Sequence, residues 1–413
     1  MMEGTFLNTV WTVLQVLHDL FLWLLFGGSF YLFGLTIAAL WREKRQEDTY
    51  CQSPAKNSFH HRFVLLIPAH NEEKGILGTI RSLQQLSYPK EQYRIVVISD
   101  NSDDKTTDIA LQNSVTVLER FDPSKRGKGY ALRFAFSHLL KDPSWDACVI
   151  IDADSVLSEN TLQVLNSELN RGGNVFQLND QIEPQSSSWC SEIIRLGFFL
   201  YNYIRPLGKS FLGLPVGLRG NGMCFRRSVI EIHPWEAFSL AEDLEYGLTL
   251  ISKGEYPVFV PEATVLAKMP DNSRDAMSQR RRWELGRWPL LYHYSVQLLT
   301  RPTVKRMETV IDLFIPPLAN FMLLLVSGFS LWALVILSTD LSLSHLTYAG
   351  VIWVTSISFL IGHLTLGLSS NRADSGLKKA LNHAPRYVIW KMYVYFQAIL
   401  KGREREWIRT RRR

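Results

Sequence analysis

The sequence predicts an α/β fold: a mainly parallel sheet with flanking helices, joined to about three transmembrane helices and a C-terminal interfacial helix. Three observations predict it. Strand-length apolar runs alternate with segments of helical period in the middle of the chain, two long blocks contain neither Lys nor Arg, and the last 42 residues are strongly basic. With 46% hydrophobic and 20% charged residues among 413, the chain is too apolar to remain disordered and must fold or enter lipid.

The sheet is read from RFVLLIP (62–68), YRIVVIS (93–99) and ACVIID (147–152), interleaved with the helical patterns GILGTIRSLQQL and YALRFAFSHLLK. That alternation belongs to a doubly wound parallel sheet. Ligands of such sheets bind beyond the carboxyl ends of the strands, and here the three ends run into AHNEE, DNSDD and DADS. A nucleotide site is expected at those ends.

The first membrane helix is LFLWLLFGGSFYLFGLTIAALW, Leu20 to Trp41, which carries no charge over 22 residues. At about 1.5 Å per residue it is long enough to cross roughly 30 Å of hydrocarbon. The start of the chain is not basic, and Arg42, Lys44 and Arg45 follow the apolar run, so it reads as an anchor with its N-terminus outside. Two further spans are expected at Leu313–Ser338 and Tyr348–Leu368, joined by a loop without Lys or Arg. Three alternating spans put every basic residue on one side, as the positive-inside rule requires. The expected organisation is an anchor (1–41), a cytosolic domain (42–306), two membrane helices (307–371) and a basic cytosolic tail (372–413). The tail carries +9 of a total of +6, leaving −3 for the rest, which excludes a protein that coats nucleic acid and makes membrane lipid the tail's expected partner. Within it, Pro385–Gly402 reads as an amphipathic helix in the headgroup region, against the alternative of a further helix buried among the spans. Cys51, Cys148, Cys190 and Cys224 form no C-x-x-C pair, so reduced, buried thiols are expected.

Asp152 and Asp154 form D-A-D after an apolar strand. Alternate residues of an extended segment point the same way, so the two carboxylates would converge on one hard cation, Mg2+ or Mn2+, that in turn binds a diphosphate. Taken alone, the triplet also fits a solvated turn. Asp100, ending the strand of VISDNSDD, can accept the imide N–H of a uracil, although such a stretch by itself is more often only a turn. In SKRGKGYAL, glycines allow close backbone approach to phosphate and Lys125, Arg126 and Lys128 compensate its charge; a solvated basic helix start fits equally. Glu242 and Asp243 open a helix, where carboxylates commonly only cap the dipole, or where one of them serves as a general base. In SQRRRWELGRW, arginines can neutralise a departing diphosphate and an indole can stack on a sugar, against the alternative of an arginine patch at the inner leaflet. The aromatic run GFFLYNYIRPLG (197–208) fits either a membrane-surface helix or core packing.

PAHNEE, DNSDD, RGKGYAL, DAD, AED and QRRRW, in that order, resemble the membrane-bound family 2 glycosyltransferases, the superfamily of cellulose, chitin and hyaluronan synthases and ceramide glucosyltransferase. The resemblance covers Phe63 to Trp288, extends to the terminal WIRTRRR, and is nearest the bacterial exopolysaccharide enzymes, which implies a bacterial plasma membrane. It implies a GT-A-like sheet and a UDP-sugar donor held by Pro68, Glu72, Asp100, Lys128, Asp152, Gln279 and Arg282. It further implies a metal on Asp152 and Asp154, acceptor or product contacts at Glu242 and Trp283, and Asp243 as the catalytic base. Two positions depart from the family pattern: Ala241 stands where Thr commonly precedes Glu-Asp, and His70 where Tyr is usual. The implied reaction is a single in-line displacement with inversion, transferring a hexosyl unit to a polysaccharide or lipid-linked acceptor. Three spans are few for a one-chain polymer channel, which keeps a lipid acceptor in view, although an oligomer could build a pore. Two other readings compete: DADSV also fits a phosphohydrolase whose first Asp is phosphorylated, and a silent nucleotide-binding scaffold would need no base.

Overall fold

The computed structural model describes residues 2–49, 59–184, 189–267, 273–338 and 343–389, with side chains described for all of these except 2–8, 11, 46–49, 190, 273–285, 335–338 and 343–346. The chain divides into two compact units, one of 1–48, 187–208 and 315–404, the other of 49–186, 209–314 and 405–413.

The second unit is built on one eight-stranded sheet of order β3-β2-β1-β4-β7-β6-β8-β5. Its strands are β1 (Phe63–Ala69), β2 (Tyr93–Asp100), β3 (Thr116–Arg120), β4 (Ala147–Ile150), β5 (Ser155–Leu157), β6 (Val175–Ile182), β7 (Met223–Arg226) and β8 (Val258–Ala267). β3-β2-β1-β4 are parallel, as are β6 and β8, while β4–β7, β7–β6 and β8–β5 are antiparallel. Strand order reverses between β1 and β4, where an open α/β sheet offers its ligand crevice.

The central strands read as unbroken apolar runs because both faces are covered. In β1, Phe63, Leu65 and Ile67 pack under Ile76, Ile80 and Leu83 of the Ile76–Gln84 helix. Val64 and Leu66 face the opposite layer, with Ala131, Leu132 and Phe136 of the Lys128–Leu139 helix. Cys148 and Cys224, on neighbouring strands β4 and β7, are buried free thiols. β4 ends two residues earlier than the sequence suggests. Asp152 and Asp154 leave it in a tight turn closed by the Ser155 N–H on the Asp152 carbonyl (3.2 Å), so they do not lie on an extended strand as the sequence suggests.

The first unit contains the helices Met2–Thr49, Leu318–Ser338 and Leu343–Gly367. The first of these runs well beyond the apolar segment Leu20–Trp41 at both ends. Leu22, Leu25 and Leu32 pack with Phe321, Leu325, Trp353 and Leu360. Close approach requires small residues: a Cβ on Gly28 would lie 2.9 Å from the Phe321 ring. Among the described residues two helices are long and apolar enough to cross a membrane, Thr12–Arg45 and Thr347–Gly367. A third is reached if Val304–Phe314 and Leu318–Leu334, separated by a break at 315–317, form one broken span. The aromatic run 197–208 takes the packing alternative: Leu200, Tyr203, Ile204 and Leu207 are buried. The interfacial helix expected at Pro385–Gly402 lies outside the described residues beyond Ile389.

Candidate active site

At the end of β2 the Asp100 carboxyl is buried. The register of β2 against β3 sets Asp100 opposite Arg120. Asp100 Oδ1 accepts from Arg120 Nη1 (2.5 Å) and Asn101 Nδ2 (3.1 Å), whereas Oδ2 accepts from no described residue. Asn101 turns the chain at φ +51°, a left-handed conformation that asparagine tolerates. His70 Nδ1 donates to the Asp100 carbonyl at 2.8 Å. Pro68 lies in β1 opposite Ile98, and the Glu72 N–H donates to Thr106 Oγ1 (2.7 Å), tying the β1 loop to the β2 loop.

Lys128 opens its helix after Gly127, whose φ of +128° a side chain would not permit. Gly129 is pressed against the Ala237 carbonyl, which a Cβ would approach to 2.1 Å. These two glycines place Lys128 over the crevice, where Nζ donates to Asp152 Oδ1 (2.5 Å) and the Gly220 carbonyl (2.6 Å). Lys125 and Arg126 of the same motif are exposed.

The loop Gly220–Asn221–Gly222, with both glycines at positive φ, is the hub of the site. Asn221 Oδ1 accepts from the Asp152 N–H (3.1 Å), and its Nδ2 donates to Ser155 Oγ (3.0 Å) and Asp180 Oδ1 (3.2 Å). On the other side, the position a Cβ would take on Gly220 is 3.1 Å from Asp243 Oδ2 and 3.7 Å from Lys128 Nζ. Asp152, Lys128 and Asp243, drawn from three distant parts of the chain, therefore meet around one loop.

Carboxylates outnumber cations there. Burial, then Asp243, pushes the Glu242 carboxyl up to about 7, against the pull of Lys128. Asp243 is raised by burial, with the Leu244 N–H and Lys128 holding it down. Asp180, buried on β6, is pushed up to about 8 by burial and then by Asp152, with Arg219 opposing. Burial draws the Lys128 ammonium down, but Asp152 and Glu242 outweigh it and the net direction is up.

The helix Ser273–Leu299 carries Gln279, Arg282 and Trp283, whose side chains lie outside the described ones. Its described part reaches the site at Gly286, where a Cβ would sit 3.0 Å from both the Cβ and the N of Ala241, the residue before Glu242. The position that departs from the family's threonine is thus packed tightly against a glycine.

Asp152 and Asp154 are the carboxylates from which the sequence predicts a divalent cation site. Among the described residues no group of three or more His, Cys, Asp or Glu side chains is arranged to hold a metal. The donor set is nevertheless all oxygen, and burial followed by repulsion between neighbouring carboxylates raises Glu242 and Asp180, a crowding of negative charge that fits Mg2+ or Mn2+. Arg120, Asp180 and Asn221 were not singled out from the sequence. The carboxylate of Asp180 inside a buried strand and the G-N-G triplet carried a signal; Arg120 carried none.

Comparison with known proteins bears on the family and the fold. A family model described as "Glycosyltransferase like family 2" matches residues 61–286. "Probable glycosyltransferase YdaM" of Bacillus subtilis is 25% identical over 81% of this chain and 79% of its own. "Beta-monoglucosyldiacylglycerol synthase" of Trichormus variabilis is 27% identical over 76% of this chain and 68% of its own. Among solved structures, a mannosyltransferase from Pyrobaculum calidifontis in complex with GDP-mannose and Mn2+ superposes with a TM-score of 0.54 at 16% identity, covering 84% of this chain and 99% of that one, and so shares the GT-A-like fold. With the matched region spanning every strand and the whole carboxylate cluster, the chain is a glycosyltransferase and belongs to family 2.

Proposed function

We propose that the protein transfers a hexosyl unit, with inversion, from a UDP-sugar to a lipid-linked or polysaccharide acceptor at a membrane. The observation that carries this reading is the meeting of Asp152 and Asp243 around Lys128 and Gly220, a donor-side carboxylate and a base within reach of one reacting centre.

Asp100 presents Oδ2 to the base of the donor, and Lys128 faces the diphosphate. Asp152 and Asp154 would hold a divalent cation, which when bound supplies charge neutralisation for the leaving diphosphate. Asp243 takes the proton of the acceptor hydroxyl as it attacks the anomeric carbon, and its raised proton affinity suits that role. Attack by the acceptor itself requires no carboxylate nucleophile, hence one displacement and inverted configuration. By helical spacing, positions 279, 282 and 283 share a face with Gly286, the residue packed on Ala241, which supports the diphosphate and acceptor roles of Gln279, Arg282 and Trp283.

The membrane location rests on the apolar helices and the distribution of basic residues, which favour an outside N-terminus and a cytosolic catalytic unit and tail. The glycolipid synthase among the relatives supports a lipid acceptor. A panel of UDP-sugars with the purified protein in membranes, scored for Mg2+- or Mn2+-dependent UDP release and then for labelled lipid and polysaccharide, tests the whole reading. Absence of UDP release with every donor would overturn it.

A further inference from the structure

We propose that Arg120 makes Asp100 a one-oxygen acceptor and thereby selects a uracil nucleotide over a guanine nucleotide. The inference rests on the reading of Asp100 as the residue that meets the donor's base, and goes beyond it by naming what sets the preference.

A carboxylate offers about four acceptor positions, two on each oxygen. Both positions on Asp100 Oδ1 are used, by Arg120 Nη1 at 2.5 Å and Asn101 Nδ2 at 3.1 Å. Arg120 is held on every side. Its Nη2 donates to the Lys125 carbonyl (2.8 Å) and Asp122 Oδ2 (3.3 Å), and its guanidinium lies over the Tyr130 ring at 5.9 Å. Tyr130 in turn stacks on Phe238 with centroids 4.5 Å apart. The backbone is stitched at the same place, with the Asn101 N–H on the Arg120 carbonyl (2.7 Å) and the Asp122 N–H on Asn101 Oδ1 (2.8 Å). Only 9% of the Arg120 side chain is exposed, so the guanidinium has no room to swing away when a nucleotide arrives.

What remains for a base is Oδ2. Uracil presents one imide N–H between two carbonyls and is satisfied by a single acceptor. Guanine presents N1–H and N2–H side by side, a pair that a carboxylate matches only with both oxygens. With Oδ1 saturated, guanine is left with one donor unpaired in a buried setting, a loss on the order of ten- to hundredfold in affinity. Arg120 acts on the base through Asp100, which makes it a positioning residue.

The test is a pair of dissociation constants, UDP and GDP, measured calorimetrically on the full-length protein in detergent with Mn2+. The wild type is expected to bind UDP more tightly by at least about tenfold. Arg120→Met frees Oδ1, and the preference is expected to fall toward one; Arg120→Lys, which keeps a cation but not the fork, should fall between. Asn101→Ala moves the ratio in the same direction and reads the proposal even where Arg120→Met does not fold. The ratio is taken within one preparation, so loss of folded protein does not change it. A ratio unmoved in both Arg120→Met and Asn101→Ala, while Asp100→Asn weakens UDP, overturns the role of Arg120. A wild type that prefers GDP overturns it as well. If Asp100→Asn leaves both nucleotides unaffected, the placement of the base at Asp100 itself falls.

Discussion

Asp100 and Asp243 are both half of a carboxylate–cation arrangement, but the arrangements differ in kind. Asp100 takes the shorter of the two ion pairs of Arg120, whose other nitrogen reaches Asp122 Oδ2 at 3.3 Å, and the guanidinium is fixed over the Tyr130 ring. Asp152, Glu242 and Asp243 share the one ammonium of Lys128, and Asp180 lies close behind Asp152. A group that reads a base needs its acceptor oxygen in a constant place, which a buried guanidinium held by several partners provides. A group that takes a proton needs a raised proton affinity, which crowding and burial provide. The strand end of β2 and the start of the Glu242–Lys253 helix thus hold two kinds of carboxylate in one fold.

The comparison breaks most clearly at the base. Asp243→Asn is expected to lower kcat by about 10²- to 10⁴-fold while leaving the UDP dissociation constant within about twofold. Turnover by UDP release and calorimetry on the same sample separate the two effects, and a loss under tenfold would remove Asp243 from proton transfer. Next in size is Lys128→Met. The Lys128 charge pulls both Glu242 and Asp243 down, so its loss raises their proton affinity further. More of the base is then protonated at any given pH. The acid limb of kcat/KM should move to higher pH, by about one unit, in a profile from pH 5.5 to 9.

Asp180 sharpens the contrast through stability. Its folded carboxyl titrates at about 8, against an ordinary 3.8. A raised carboxyl favours the folded state at low pH, and that contribution is lost as pH rises through the folded value. Asp180→Asn should therefore gain on the wild type from pH 6 to about 8 and level off above, with a difference in Tm of several degrees at the alkaline end, on the order expected for about 3 kcal/mol. A difference that does not vary with pH would mean that Asp180 is not held protonated. The smallest effect is expected where the base helix meets Gly286. Ala241→Thr adds atoms where the contact is already 3.0 Å, and overpacking of this kind costs about 1–3 kcal/mol. Thermal melts would show the loss, and an unchanged Tm would show that the long helix yields.

Much of this was legible in advance for reasons that can be traced to particular residues. Phe63, Leu65 and Ile67 against Val64 and Leu66 make an uninterrupted apolar run, and only a strand covered on both faces calls for one. Each such run ends in acidic residues, so Asp100 and Asp152 could be placed at the crevice before any contact was known. The turn that carries Asp152 and Asp154 was not legible, because an apolar run does not reveal where its last hydrogen bond falls. Nor were β6 and β7, whose antiparallel pairing depends on partners far away in the chain.

The sequence by itself determined the chemistry on offer: which carboxylates follow strands, which lysine follows a glycine, and which segments are too apolar for water. These follow from periodicity and local conformation, which act over a few residues. Tertiary structure decided who meets whom. The register of β2 against β3 joins Asp100 to Arg120, and the Gly220 loop brings Asp243 to Lys128 and Asp152. Such meetings depend on strand pairing and on the close approach of backbones across the fold, and no spacing along the chain encodes them.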